Sequence, residues 1–280
     1  MSIVIDSVTD IESLASDYKA NNKTIAFVPT MGGLHAGHLS LVDIAKENAD
    51  IVVVSIFVNP TQFGKNEDFD KYPNTFENDK QLLDEKAVEI IFAPSKDDIY
   101  PQGTDSDINL GEIANILCGA SRPGHFEGVV QVVKRLFEIV KPDIAVFGEK
   151  DFQQLLIIKQ MSSQYFPNIE IVSHPIVREA DGLAMSTRNL YLSTDERRFA
   201  SKLYQVLLNA KQNYLNNADI QTVKNKATTT LDEAFSLDYF EILDANTLME
   251  ITTNTDKIAI LCAVFLGSTR LIDNIIFNKG

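Results

Sequence analysis

The chain has 280 residues, 45% apolar and 23% charged, the balance of a soluble globular protein with room for a sizeable core in one large domain or two modest ones. Its 39 acidic and 25 basic residues give a formal charge of −14, which argues against an extended nucleic-acid surface; a small anionic nucleotide would need local cations and backbone donors. No apolar run reaches the roughly 18 residues of a membrane span. The opening residues lack the basic region and cleavage site of a signal peptide, and Cys118 and Cys262 show no evident pairing, so a reducing, cytoplasmic setting is expected.

Up to about residue 175, short apolar runs alternate with helical patterns. Runs at 24–28, 51–58, 88–93, 143–147 and 170–176 read as strands, and a helix begun near Ala36 closes at Asn48-Ala49-Asp50. That spacing predicts strand–helix–strand units and a parallel sheet covered by helices. Residues 128–140 place Val129, Val132, Val133, Leu136, Phe137 and Val140 at helical spacing, a core face ended by Pro142. Beyond residue 175 the pattern changes. One amphipathic helix is expected over 195–215, with Leu203, Val206, Leu207 and Ala210 on one side, and a second over 219–235. Strands at 238–243, 258–266 and 271–277 then suit a small antiparallel sheet. The expected class is α/β: a Rossmann-like parallel sheet flanked by helices over 1–175, then a smaller α+β domain over 176–280.

The stretch from Pro29 to His38 (Pro-Thr-Met-Gly-Gly-Leu-His-Ala-Gly-His) joins the first strand to the first helix. A glycine pair at such a turn lets backbone N–H groups approach a phosphate, and the helix N-terminus adds positive partial charge. His35 and His38, three apart, would project from one face toward the same anion. An ordinary turn carrying two exposed histidines fits the same residues. Zinc does not, because the two cysteines form no ligand pair and only four histidines occur.

Asn59 and Gln62, in Asn-Pro-Thr-Gln-Phe after the second strand, offer amides at the end of the sheet where ligands bind. The same residues could form a simple Asn-Pro turn. Gly148-Glu149-Lys150-Asp151 ends another strand, with Lys150 as a point charge for phosphate and Gln154 one helical turn on; a solvated turn is the alternative. Met185-Ser186-Thr187-Arg188 combines two hydroxyls and a guanidinium suited to a polyphosphate, or a helix cap. Arg122 adds a cation near a helix start. Asp79, in an acidic polar stretch, reads either as a Mg²⁺ contact or as a surface carboxylate.

Taken in order, these segments resemble the pantothenate synthetase family along nearly the whole chain. His-x-Gly-His alone points only to the wider superfamily of nucleotidyltransferases and class I aminoacyl-tRNA synthetases. The Asn-Pro-Thr-Gln-Phe loop and Gly-Glu-Lys-Asp followed by a glutamine are more specific. The resemblance implies ATP-dependent joining of pantoate and β-alanine through a pantoyl adenylate, with Mg²⁺ accompanying ATP, no tightly bound organic cofactor and a homodimer. It assigns catalysis to His38 and His35. ATP contacts would come from Met31, Gly32, Gly33, Leu34, His35, Ala36, Gly37 and His38, from Gly148, Glu149, Lys150 and Asp151, from Val177, and from Met185, Ser186, Thr187 and Arg188. Gln62, Gln154 and Asn59 would hold pantoate, and Gln62 would also border β-alanine. The domain at 176–280 would act as a lid. Two departures stand out: Thr187 occupies a position where serine is usual, and Asn74 one where arginine is common. Another adenylyltransferase or small-molecule synthetase with a different acceptor is the alternative, but it has no reason to keep both Gln62 and Gln154.

Overall fold

The computed structural model describes residues 1–65, 67–104 and 108–279. Its elements begin with β1 (Ile3–Ile5), α1 (Val8–Ala20), β2 (Ile25–Thr30), α2 (Ala36–Asn48) and β3 (Ile51–Ile56). Next come α3 (Phe76–Glu85), β4 (Ile90–Phe92), α4 (Lys96–Ile99), α5 (Cys118–Ser121) and α6 (His125–Val140). They continue with β5 (Ile144–Gly148), α7 (Phe152–Tyr165), β6 (Glu170–His174), α8 (Thr194–Ala200), α9 (Lys202–Leu215) and α10 (Ile220–Asp232). Three strands, β7 (Ser236–Asp244), β8 (Lys257–Leu266) and β9 (Thr269–Asn278), end the chain.

The chain divides into two compact units, Met1–Glu149 with Gln154–Pro175, and Lys150–Gln153 with Ile176–Gly280. In the first, a six-stranded parallel sheet runs β1-β4-β3-β2-β5-β6. Its central strands are apolar on both faces because helices cover both. Ile25, Ala26, Phe27 and Val28 of β2 are each 0% exposed. Ala26 and Val28 pack with Leu41, Val42 and Ala45 of α2 and with Leu83 of α3. Phe27, on the opposite face, meets Phe137 of α6 edge-on at 6.4 Å, an arrangement that adds about 0.5–1.5 kcal/mol beyond area burial. The strand order reverses between β2 and β5, so their C-terminal ends open the crevice where such sheets bind ligands. Pro29 lies past the last β2 residue registered with β5, at the point where the two strands part.

The second unit stacks α9 and α10 on the antiparallel sheet β7-β8-β9, sealed by Leu203, Leu207, Leu231, Ile258, Ile260 and Cys262. The single helix expected over 195–215 is two. At Ser201 the N–H turns back to the Phe199 carbonyl, yet Ala200, Leu203, Leu207 and Ala210 stay buried across the break. The apolar stripe therefore survives where the hydrogen-bond ladder does not. Strand β1 and helix α1 have no counterpart among the expected elements, since a three-residue edge strand is too short to show a period. The polar stretch around Asp79 is helical, as α3.

Two contacts in the first unit give direct tests. Gly128 of α6 lies against the loop after β3, and a Cβ there would sit 2.4 Å from the Thr61 carbonyl oxygen and 2.7 Å from the Gln62 nitrogen. Gly128→Ala must move backbone, so urea denaturation should show a loss of about 1–3 kcal/mol, the range for overpacking. At the sheet's other end, Asp50 accepts hydrogen bonds from Thr24 N, Lys23 Nζ and Thr24 Oγ1, each at 3.0 Å. The Thr24 backbone bond, then those of Lys23 and the Thr24 hydroxyl, pull its pKa from 3.8 to about 2. A depressed carboxylate contributes fully above its unfolded pKa and loses that contribution as pH falls toward the folded value. Denaturation profiles of Asp50→Asn should therefore fall less steeply than wild type on acidification from about pH 4 to 2; parallel profiles would contradict this coupling.

Candidate active site

The expected strand–turn–helix junction is present, and its two histidines do share the first turn of α2. His35 is the N-cap, its Nδ1 accepting from Gly37 N at 3.1 Å; His38 reaches back, its Nδ1 accepting from His35 N at 3.4 Å. The rings lie 4.1 Å apart, tilted by 35°. A neutral imidazole accepting at Nδ1 carries its proton at Nε2, so the two contacts select the same tautomer in both rings.

The amides of this loop are a different matter. The glycine pair was expected to aim backbone N–H groups at a phosphate. Instead Gly33 N and Leu34 N donate to Asp79 Oδ2 and Oδ1 at 2.9 and 2.8 Å, and Gly32 N donates to Thr30 Oγ1 at 3.2 Å. Both glycines have positive φ, +79° at Gly32 and +63° at Gly33, and a Cβ on Gly32 would meet Asp79 Oδ2 at 3.0 Å. Glycine thus serves a close backbone approach to a carboxylate of the protein itself. This corrects both readings of Asp79. At 0% exposure it is no surface carboxylate, and with Thr75 Oγ1 also on Oδ2 at 3.1 Å its oxygens are committed to protein donors. A Mg²⁺ ion keeps several waters, and a carboxylate sealed in this way does not fit it. Among the described residues no group of three His, Cys, Asp or Glu is arranged for a metal.

The loop after β3 brings Gln62 beside the histidine loop: its Nε2 donates to Met31 Sδ at 3.1 Å. Asn59 is 1% exposed and supports it from behind. Its Nδ2 donates to Gln62 Oε1 at 3.2 Å and to the Gly128 carbonyl at 3.0 Å. Its Oδ1 accepts from Tyr100 Oη at 2.8 Å and Thr61 Oγ1 at 2.9 Å. A buried amide with these four protein partners positions Gln62. Tyr100 was not foreseen, because nothing in its local sequence marks it; burial pushes its phenol above the ordinary range.

Arg122 is not a solvated cation. It forms a two-pronged pair with Glu67, with Nε–Oε1 and Nη2–Oε2 both at 2.6 Å. Burial raises the Glu67 carboxyl, but the Arg122 hydrogen bonds and charge outweigh it and leave the pKa below its usual value. Arg122 Nη1 also meets His125 Nε2 at 3.0 Å, and His125 Nδ1 lies 2.9 Å from the Gln62 carbonyl oxygen. A carbonyl only accepts, so His125 Nδ1–H donates and its Nε2 accepts from Arg122. Gln62 is therefore held at its side chain by Asn59 and at its backbone by His125.

At the end of β5, Glu149 Oε1 accepts from Ser173 Oγ at 3.0 Å, beside half-buried Gly148. Gln154, half-buried near the start of α7, returns the chain to the first unit.

Lys150 and Asp151 belong to the second unit. Lys150 Nζ is 3.8 Å from Asp151 Oδ2, and the Lys150 carbonyl accepts from Asn274 Nδ2 at 3.0 Å. There the segment after β6 folds into a hairpin: Met185 N donates to the Val177 carbonyl at 3.0 Å, and Arg178 bridges to Ala184. Ser186 does act as a cap, its Oγ accepting from Arg188 N at 3.3 Å, while Thr187 is buried at 6% exposure. The hairpin is anchored by Arg178, which pairs with Asp273 of β9 through Nη1–Oδ2 at 2.6 Å and Nη2–Oδ1 at 2.9 Å. Its guanidinium also lies over the Tyr204 ring at 3.7 Å. This buried pair was missed by sequence reasoning, since 95 residues separate its members. Among the described residues, no helix is long and apolar enough to cross a membrane.

The family model for pantoate-beta-alanine ligase matches residues 3–276. The pantothenate synthetase of Vesicomyosocius okutanii subsp. Calyptogena okutanii is 55% identical over 269 residues, 96% of this chain and 95% of that protein. That of Caldicellulosiruptor bescii is 46% identical over 98% of each chain. Among solved structures, pantothenate synthetase from Thermus thermophilus superposes with a TM-score of 0.91 at 38% identity, covering 98% of this chain and 99% of that one. The pantoate-beta-alanine ligase of Francisella tularensis, solved in complex with beta-gamma ATP and beta-alanine, gives 0.83 at 38% identity, covering 100% and 98%. With the histidine pair, the Gln62 loop and the parallel sheet in place, the chain belongs to the pantoate–β-alanine ligase family.

Proposed function

We propose that this protein ligates pantoate and β-alanine to pantothenate at the expense of ATP, by way of a bound pantoyl adenylate. The observation that supports the reading is the junction of Gln62 with Met31, which ties an amide suited to an acyl substrate to the loop that leads into the paired rings of His35 and His38. In the first step a pantoate carboxylate oxygen attacks the α-phosphorus of ATP, a P–O bond forms, and pyrophosphate leaves with the electron pair of the α–β bridge. In the second, the neutral amine of β-alanine attacks the acyl carbon, the C–N bond forms, AMP departs and the amine proton passes to solvent.

A carboxylate needs no general base to attack, so His38 and His35 serve as hydrogen-bond donors that stabilise charge on the transferring phosphoryl group. Gln62 and Gln154 hold the polar groups of pantoate, and Gln62 borders β-alanine. Further ATP contacts are assigned to Met31 through Gly37, other than through the Gly33 and Leu34 amides that Asp79 holds, to Gly148, Glu149, Lys150 and Asp151, to the Val177 backbone, and to Met185, Ser186, Thr187 and Arg188. Mg²⁺ enters as the complex of ATP, held through its phosphates. A homodimer, a cytoplasmic setting and a lid role for the second unit belong to the same reading, on the strength of the family resemblance.

The test is AMP and pyrophosphate release from Mg-ATP, with pantoate and β-alanine omitted in turn. Release of AMP should require both, with pantothenate identified by mass. Pantoate alone should support exchange of labelled pyrophosphate into ATP, and turnover with another acceptor would displace the assignment. His38→Ala should lower that exchange by about a hundredfold or more, the scale of losing one donor to a developing charge, while leaving the thermal transition in place. Gln62→Ala should raise the pantoate KM well above any change in the ATP KM; equal effects would argue against a pantoate contact.

A further inference from the structure

We infer that Asp79 is a positioning residue that fills the anion-binding hollow of the 31–38 loop from inside the protein, so that phosphate is met by imidazole N–H groups and not by the loop amides. The inference rests on the proposed use of ATP and deepens it. Successive backbone amides in a left-handed, glycine-containing turn make a concavity that binds anions. Here that concavity already holds one. The amides of Gly33 and Leu34 each donate to a different oxygen of a carboxylate with 0% exposure, and Thr75 Oγ1 supplies a third donor. Asp79 also lies in the first turn of α3, whose N-terminal dipole favours its charge.

The consequence runs through the backbone. With Gly33 and Leu34 pinned downward, residue 35 enters the N-cap of α2 in an extended conformation, φ −139° and ψ 175°. Its own N–H then reaches His38 Nδ1, and Gly37 N reaches His35 Nδ1. Each of these contacts selects the same tautomer. The carboxylate thus determines, through two amides and a cap, which ring nitrogen carries the proton. It also sets a fixed negative charge behind the loop, which discourages a phosphate from entering the hollow.

The experiment compares wild type, Asp79→Asn and Thr75→Val. Asparagine keeps the shape but turns an NH₂ toward one of the amide donors, so one N–H loses its acceptor. Two readouts are taken: imidazole nitrogen NMR of the ligand-free protein, assigned with the single histidine variants, and pantoate-dependent pyrophosphate exchange. In Asp79→Asn the Nε2–H signature of His35 and His38 should be lost or mixed. The exchange kcat should fall at least about tenfold, as expected for a small misplacement of a reacting group, with the pantoate KM little changed. Thr75→Val, which removes one donor and keeps the charge, should shift the same resonances by less. A cooperatively folded Asp79→Asn that keeps the wild-type tautomer pattern and exchange rate overturns the inference. So does a variant whose only change is a higher Mg²⁺ requirement, which would make Asp79 a metal contact. If Asp79→Asn does not fold, unchanged spectra and rates in Thr75→Val overturn it instead. The NMR readout needs no substrate, so a wild type without pantoate-dependent exchange would remove the functional reading and leave the positioning role standing.

Discussion

A carboxylate buried under a glycine turn is the constraint on which the candidate site depends. Three hydrogen bonds converge on Asp79, two of them from consecutive backbone amides. A buried charge is tolerated only when it is fully solvated by protein donors, and those donors in turn are fixed wherever the charge sits. The conformation of the 31–38 loop is therefore set from beneath, by α3, and not by the ligand above it. Glycine at 32 and 33 is the complement of this arrangement: positive φ at both, and a carboxylate oxygen only 3.0 Å from where a Cβ on Gly32 would lie. The two histidines then inherit their orientation from the helix cap and from each other.

The Gln62 loop follows the same logic with different chemistry. A buried asparagine uses both amide atoms on four partners, and His125 completes a relay from the Glu67-paired Arg122 to the Gln62 carbonyl. Gly128 lets α6 approach so closely that the Thr61 carbonyl occupies the place of a side chain. Both loops are thereby fastened to helices packed on the sheet. A ligand meeting groups already held in place spends little of its binding energy ordering them.

Much of this was legible in the sequence because it is written in periods. Central strands such as 51–56, buried on both faces, read as continuous apolar runs, and α6 shows its core face at helical spacing. His35 and His38 fall at a separation that a first helical turn must bring together. What was not legible is pairing across the fold. Asp79 looks like one carboxylate among several in a polar stretch, and only the packing of α3 against the loop after β2 shows what it does. Asn59 sits in an obvious turn, but its partners Tyr100 and Gly128 are 41 and 69 residues away. The break at Ser201 was invisible for the opposite reason: the apolar stripe, which is what a sequence displays, continues through it.

The formal charge of −14 sharpens what the second unit has to supply. A chain this acidic repels a polyphosphate at long range, so attraction must come from a few cations at short range, within the roughly 8–10 Å over which salt leaves a field unscreened. Several of its basic groups are already committed: Arg178 to Asp273, Arg197 to Glu179 and Asp181, and Arg270 to Asp238. These pairs neutralise carboxylates inside the unit and brace its loops. The Arg178 pair in particular ties the hairpin that carries Met185, Ser186, Thr187 and Arg188 to strand β9, and burial favours the neutral form of Asp273 against which that guanidinium must work. Thr187 is itself buried beside Ser186 and Arg188. The acidic balance is then compatible with a triphosphate substrate, because these carboxylates are answered locally and the phosphate-binding candidates, Lys150 and Arg188, lie on braced segments.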